Sequence, residues 1–337
     1  MGFFNECTYI LRKTNKDMIL VKSEDKLTYS YFKNSDSCTF SENLTLFPID
    51  FSNYHFDIDA NDVAYGIFVD SSINILKFNN NSNKFSLIHK ISYDNKNFAI
   101  NFPYIKYVND QIHIIYYLTS RNHPTTILFH HYNDGYKWIE NKIDFINLPL
   151  LDNFVVCFNN SIANIFYFKE SKDFPQIYTS SFCLNSLSWN KPLQITNSYT
   201  NKIYLSILKD KLNFYHLAFC DKSDGKYFIR YLNGYLNNNN FEEMINTTIN
   251  TPSIYLFPSI VKYNSDIFIS YVNENILYTR SSKDLGETWS DSIEDYNSIN
   301  DKFIRGYLRS NYCNDLDYTS SCLFISKNPF GILGNFV

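Results

Sequence analysis

Two fifteen-residue segments of the chain repeat one another without a gap. Residues 102–116 align with residues 257–271, and seven of the fifteen positions are identical. Each segment is predicted to form a strand, a short polar turn and a second strand, because apolar residues alternate on both sides of the turn. Weaker copies lie at 154–166 and 204–216. The chain is therefore expected to contain several copies of one hairpin-based unit.

A polar turn that ends in an aromatic residue is a second repeated feature. Its sharpest copy spans residues 282–289, where Ser282 and Asp284 can bond their own turn backbone and Gly286 can adopt a positive φ. Trp289 is expected to fold back as an apolar plug. Weaker copies are expected to end at five other aromatic residues: Phe40, Phe85, Trp138, Trp189 and Phe241.

Residues 282–289 match the pattern S-x-D-x-G-x-T-W at every defined position, and this pattern resembles the Asp box of sialidase-like β-propellers. The resemblance covers eight residues and implies that Ser282, Asp284, Gly286 and Trp289 form a structural Asp box, or BNR repeat. Because this element is structural in that family, the resemblance implies a fold and little about chemistry.

Together the two repeats predict an all-β fold, a β-propeller of six four-stranded blades, with seven blades as the alternative. The hairpin supplies the inner two strands of a blade, and the aromatic turn joins the third strand to the fourth. The propeller is expected to occupy residues 1–296. For the tail, residues 297–337, three arrangements remain open: strands that close the ring on the first blade, part of a seventh blade, or a segment packed across one face.

Composition and charge narrow the set of partners. The chain has 28 Tyr and 30 Phe, which suits the half-buried surfaces of a large β core. Its net charge of −4 supplies no basic field for nucleic acid or an anionic membrane, so neither partner is expected. The seven cysteines are scattered and odd in number, which predicts neither a disulfide framework nor a CxxC metal pair. No metal or other cofactor is expected. Without an N-terminal signal pattern, a cytoplasmic location is expected, with surface or spore association left open.

The sequence lacks some of the active-site residues that the resemblance to sialidases implies. The resemblance implies three substrate-binding arginines and an Arg-Ile-Pro motif, but that motif is missing and the chain has only six arginines. Other glycoside hydrolases need two carboxylates that face one pocket. The loops that join second to third strands could supply ligand-binding groups, and the candidates are Arg121, His123, Asp173, Asp221, Asp224 and Glu274. No catalytic pair can be nominated among them.

Two functions therefore remain. One is a non-catalytic, sialidase-like propeller that binds a glycan or a protein on its loop face, where Tyr and Asn suit carbohydrate-binding contacts. The alternative is a glycoside hydrolase, sialidase-like in fold, with a non-standard active site. The first function is favoured.

Overall fold

The computed structural model describes residues 2–150, 152–237, 240–249, 253–327, 330–334 and 336. In these residues the strands pair into six sheets, arranged as a β-propeller around an axial cavity. The predicted all-β propeller class is confirmed. Two short 3₁₀ helices (Phe51–Asn53 and Cys313–Asp315) and a five-residue α-helix, α1 (Tyr296–Asn300), complete the described elements. No described helix has the length and apolar character that crossing a bilayer requires.

The first three sheets each contain one four-stranded antiparallel meander. In the first sheet the meander strands β1–β4 are Phe3–Arg12, Met18–Ser23, Leu27–Lys33 and Ser37–Asn43. In the second sheet β5–β8 are Tyr54–Ile58, Ala64–Val69, Ser72–Asn79 and Lys84–Ser92. In the third sheet β9–β12 are Phe98–Val108, Gln111–Ser120, Thr126–Asn133 and Trp138–Ile146.

The last three sheets follow the same plan with small additions. In the fourth sheet β13–β17 are Val155–Asn159, Ile162–Ser171, Phe174–Cys183, Ser188–Trp189 and Leu193–Gln194. In the fifth sheet β18–β21 are Lys202–Lys209, Phe214–Ser223, Lys226–Asn237 and Asn240–Thr248. In the sixth sheet β22–β25 are Tyr255–Tyr263, Asp266–Asn273, Ile276–Ser282 and Ile293–Glu294.

The order of the strands confirms the organisation expected from the two repeats. The repeated segments form the hairpins β9–β10 and β22–β23, which lie at the axial side of their sheets. Five of the six aromatic turns join a third strand to a fourth within the described residues, and the turn before Phe241 includes residues 238 and 239, which lie outside them. The outer strand β8 is largely exposed, whereas β5 is buried along its whole length. The first strand of each meander therefore faces the axis, and the fourth faces solvent.

The tail adds four strands beside the axis: β26 (Phe303–Ser310), β27 (Tyr318–Ser320), β28 (Leu323–Lys327) and β29 (Phe330–Leu333). Strand β26 pairs in parallel with β1, β28 and β29 continue that sheet, and β27 pairs with β22. Phe303, Phe324 and Leu333 pack on Val272 and Leu277 of the sixth sheet. The tail thus bridges the first and sixth sheets. The number of blades and the division at residue 296 stay predictions.

The turn at residues 282–289 has the backbone geometry expected from its sequence. Gly286 has a φ of 97°, and its N–H donates to Ser282 Oγ at 2.8 Å. Asp284 Oδ1 accepts from Ser282 Oγ at 2.7 Å and from the N–H of Thr288 at 2.9 Å. The assignment of this turn to the Asp-box motif stays a prediction.

Trp289 folds back against its neighbours as an apolar plug, but it is half-buried and not buried. Its ring meets that of Tyr231 in the neighbouring fifth sheet, with the centroids 5.1 Å apart. The side-chain amide of Asn233 donates to the carbonyl of Leu285 at 2.7 Å. The turn rests on an adjacent sheet, which leaves one side of the indole open to solvent.

Three axial strands share an unusual backbone feature. Phe102, Tyr204 and Phe257 have positive φ values of 53°, 54° and 54°, and each lies where the pairing register with the second strand shifts. Positive φ is strained for a residue with a bulky side chain. Such a bulge re-aims the side chain of the residue it contains. The repeated Phe-Pro pairs in the sequence therefore mark β-bulges within the axial strands β9 and β22.

Candidate binding cavities

An axial cavity of about 300 Å³ runs between the innermost strands of all six sheets. These strands are β1, β5, β9, β13, β18 and β22, together with β26 from the tail. We call the end where the strands begin the upper end, and the end where they enter their first turn the lower end. Because the meander is antiparallel, the loops that join second to third strands also lie at the upper end.

Arg305 of β26 occupies the upper end and is buried. Its guanidinium lies 3.2 Å from Asp152 Oδ1 and donates to Asn5 Oδ1 at 2.9 Å. The same group lies over the rings of Phe51 and Phe257, at 5.7 and 5.8 Å from the centroids. A buried cation needs such partners to offset the loss of hydration. Arg305 thereby ties the tail to the first, second, fourth and sixth sheets.

The middle of the axial cavity is aromatic. Tyr307 of β26 stacks on Tyr9 of β1 with the centroids 5.1 Å apart. His55 packs against Tyr104 at 4.5 Å and accepts the backbone N–H of Ile105 through Nδ1 at 3.3 Å. Burial, with a smaller contribution from nearby cations, holds the pKa of His55 well below its usual value. This imidazole is therefore a neutral structural group at physiological pH.

Four charged side chains and a thiol gather at the lower end. Lys106 Nζ lies 2.6 Å from Asp57 Oδ2, and Arg309 Nε lies 3.7 Å from Asp57 Oδ1. Lys209 donates to Asn159 Oδ1 at 3.3 Å and to Asn213 Oδ1 at 2.9 Å. Burial raises the pKa of Cys157 to about 12, against the opposing effect of Lys209 and Arg309. Cys157 is therefore a protonated thiol at physiological pH.

A second cavity, which we call the upper cavity, opens at the upper end of the third sheet and measures about 640 Å³. The 3₁₀ helix Phe51–Asn53 and the segment 147–150 form its other walls. One wall is aromatic, because the rings of Phe51 and Phe102 meet at 6.3 Å. The bulge at Phe102 aims that ring at Phe51 and at Tyr117. The apolar wall continues through the segment 148–150, which connects the third and fourth sheets.

Polar groups line the rest of the upper cavity: Ser52, Asn101, Thr119, Ser120, His123, Thr126 and Asn147. Ser120 Oγ accepts the backbone N–H of His123 at 3.2 Å, which fixes the loop that carries the imidazole. Among the described residues, no side-chain hydrogen-bond partner is found for His123 or Asn147, and both are exposed. The cavity thus presents free donors and acceptors beside an aromatic surface, and its described lining contains no carboxylate.

The structure separates most of the candidate site residues expected from the sequence. Arg121 and His123 share the loop between β10 and β11, and of these two only His123 borders the upper cavity. Asp173, Asp224 and Glu274 are exposed at the tips of three other turns, with φ values of 69°, 50° and 49°. None of these three borders either described cavity.

Asp221 is not a loop residue, and that expectation was wrong. It lies in β19 and is buried, with Oδ2 3.4 Å from Arg230 Nε and Oδ1 4.0 Å from Lys202 Nζ. A buried carboxylate between two cations acts as a structural counter-ion. The strand β19 continues two residues past Asp221, which sequence alternation alone did not reveal.

Several cavity residues were missed at the sequence level. Phe51, Asn101 and Asn147 belong to three different segments that meet only in the folded chain. Phe102 did carry a signal, because it opens the repeated Phe-Pro segment, although its backbone conformation could not be read from that repeat. No group of three or more His, Cys, Asp or Glu side chains suited to a metal ion occurs within the part of the chain that the structure describes.

Comparison with known proteins supports the fold. No family model matches the chain, and no curated protein matches its sequence. The α-L-arabinanase of Penicillium chrysogenum, solved with arabinobiose, has a TM-score of 0.53 at 10% identity, over 83% of this chain and 94% of that one. The GH93 α-L-arabinofuranosidase of Fusarium graminearum, also solved with arabinobiose, has a TM-score of 0.52 at 10% identity. The match again covers 83% of this chain and 94% of that one. At this identity the likeness establishes a shared β-propeller fold.

Proposed function

We propose that the protein is a non-catalytic β-propeller that binds a glycan in the upper cavity. The observation that carries the proposal is the lining of this cavity, where the Phe51 and Phe102 rings stand beside the free side chains of His123 and Asn147. A sugar ring offers apolar C–H faces to aromatic rings and hydroxyls to amide and imidazole groups. The volume of about 640 Å³ lies within the range of small-molecule sites.

The distribution of carboxylates supports binding without hydrolysis. Glycoside hydrolysis needs two carboxyl groups on either side of one glycosidic bond. The described lining of the upper cavity has none, and the axial cavity has Asp57 and Asp152. Both are already engaged with cations, Asp57 with Lys106 and Asp152 with Arg305.

The test is a glycan array with the purified full chain, read for retained protein and for loss of terminal sugars. Arabinobiose is one probe to include, since it is the ligand of both compared structures. Retention without sugar loss is expected. Sugar loss would establish a hydrolase instead, and the absence of both signals would overturn the glycan proposal and leave a protein ligand as the remaining form of the binding hypothesis.

Variants locate the site once a retained glycan is known. Asn147→Ala and His123→Ala should each weaken binding about tenfold, because each removes a hydrogen-bonding group without changing the apolar wall. The control is Asn185→Ala, an exposed asparagine at an aromatic turn on the opposite end of the molecule. Binding that is equally strong in all three variants would exclude the upper cavity.

A further inference from the structure

The lower end of the axial cavity holds more positive than negative charge. Lys106, Lys209 and Arg309 all line it. The lining carboxylate at this end is Asp57, which contacts Lys106 and Arg309. Asp210 acts on Lys209 from outside the lining, and its own ion pair is with Lys262 at 2.6 Å. The remaining lining carboxylate, Asp152, is paired with Arg305 at the upper end. Counting these four lower-end side chains, the formal charge is three positive against one negative. The whole chain, in contrast, has a net charge of −4.

Of the three cations, Lys209 is the one whose charge is least balanced by a nearby carboxylate. No carboxylate of the described residues lies within 4.0 Å of its ammonium, which instead donates to the amide oxygens of Asn159 and Asn213. Amide oxygens satisfy hydrogen bonds but leave the charge unbalanced. Burial lowers the pKa of Lys209, and this effect outweighs the opposing influence of Cys157 and Asp210.

Arg309 also has unused donors. Its Nη1 donates to the carbonyl of Leu308 at 3.1 Å, and its Nε faces Asp57 at 3.7 Å. Among the described residues, Nη2 has no hydrogen-bond partner. The planar guanidinium presents paired donors that match the oxygens of a carboxylate or a phosphate. Its position on β26 means that the tail completes this charged end of the cavity.

The three cations come from different sheets, but each lies near the lower end of its strand. Lys209 is the last residue of β18, Arg309 is the penultimate residue of β26, and Lys106 lies two residues from the end of β9. The side chains of Lys106 and Arg309 are 26% and 29% exposed, so water and small solutes reach them. Walls of low dielectric strengthen the field of clustered charges inside such a cavity.

We propose that the lower end of the axial cavity is a binding site for a small anion, in which Lys106, Lys209 and Arg309 hold a carboxylate or phosphate group. An anion there would balance the surplus charge and accept the free guanidinium donors. The site is separate from the upper cavity in residues and position. It is therefore independent of the proposed glycan function.

The experiment measures thermal unfolding of the full chain with increasing inorganic phosphate or glucuronate, at ionic strength held constant with chloride. Constant ionic strength removes general screening from the comparison. A ligand that binds the folded state raises Tm with concentration. Glucose at equal concentration is the neutral control. A rise in Tm with glucuronate alone would assign the site to an acidic sugar, and a rise in Tm with phosphate alone would assign it to a phosphate group. A rise in Tm with both would show that the site accepts either anion.

Two substitutions tie the effect to the site. Lys209→Gln and Arg309→Gln should each weaken the apparent affinity for the effective anion about tenfold, because each removes one charge close to the ligand. Lys172→Gln, which changes an exposed lysine at the opposite end of the molecule, should leave that affinity unchanged. Far-ultraviolet circular dichroism and unfolding without added anion show whether each variant is folded.

Two results would overturn the proposal. One is a Tm that does not rise with either anion beyond the chloride control. The other is an anion-dependent rise of equal size in the wild type and in both folded variants. Loss of glycan binding in the Asn147→Ala variant, with the anion effect unchanged, would show that the two sites are separate.

Discussion

The imidazoles of His113 and His130 stack inside the third sheet, with His113 Nδ1 3.2 Å from His130 Nε2. The indole N–H of Trp189 donates to His130 Nδ1 at 3.0 Å. Because an indole can only donate, the neutral His130 must carry its proton on Nε2 and donate it to His113. His113 then keeps its proton on Nε2, for which no partner is found among the described residues. Protonation of either ring would place two N–H groups face to face.

This pair predicts that the protein loses stability in mild acid. Burial lowers the pKa of His113 to about 4, and burial together with the neighbouring imidazoles holds the pKa of His130 well below its usual value. The folded-state pKa lies below the unfolded value of about 6.5, so the unfolded chain binds more protons between these values. The neutral His113 therefore contributes about 3 kcal/mol to the free energy of unfolding. This contribution is fully present above pH 6.5 and is lost as the pH falls towards 4.

The measurement is urea unfolding of the wild type and the His113→Phe variant at pH 7 and pH 5. Phe268 occupies the aligned position in the sixth sheet, so a phenyl ring suits this site in the repeat. The variant should show a smaller loss of unfolding free energy on acidification, because other titrating groups are common to both proteins. An equal loss in the two proteins would contradict the assignment to His113.

Gly286→Ala should destabilise the fold by about 2–4 kcal/mol, since it adds backbone strain and a steric clash. The residue has a φ of 97°, and a Cβ there would lie 2.2 Å from Cε1 of Tyr231. Gly225→Ala is the matched control, with a φ of 78° and no heavy atom within 4 Å of the added Cβ. It should cost about 1 kcal/mol. Equal losses in chemical denaturation would show that Tyr231 does not restrict this turn.

Trp289→Ala should cost about 2 kcal/mol, which is less than expected for a fully buried indole. The half-buried ring loses its contact with Tyr231 and the hydrogen bond from its Nε1 to the carbonyl of Gly286 at 3.1 Å. Trp289→Phe keeps much of the ring contact and should cost about 1 kcal/mol. Urea unfolding measures both values. A loss in Trp289→Ala above about 4 kcal/mol would indicate a core role that the structure does not assign.

Asp152→Asn should cost about 3–5 kcal/mol, because it leaves the buried Arg305 without a carboxylate. The side chains of Asp152 and Arg305 are 11% and 8% exposed. Glu24→Gln, in the exposed pair with Lys22, should change stability by less than about 0.5 kcal/mol. If the Asp152→Asn variant unfolds at the same urea concentration as Glu24→Gln, the pair does not stabilise the attachment of the tail.

The sequence by itself determined the repeated architecture of this protein. Alternating apolar residues and the gapless match of 102–116 with 257–271 specify local hairpins, and the aromatic turns mark the connection between third and fourth strands. These features depend on residues close together in the chain. They could therefore be predicted correctly from pattern and turn chemistry.

Only the tertiary structure decided which side chains meet. Phe51, Phe102 and Asn147 converge in the upper cavity, and Lys106, Lys209 and Arg309 converge at the lower end of the axis. Each group comes from segments that are dozens of residues apart, so no local pattern links its members. Burial at Asp221 and partial exposure at Trp289 likewise depend on neighbouring sheets. The physical reason is that the alternation of apolar and polar residues along a strand determines which side chains face the adjacent sheets. The arrangement of the sheets around one axis determines which residues those side chains then contact.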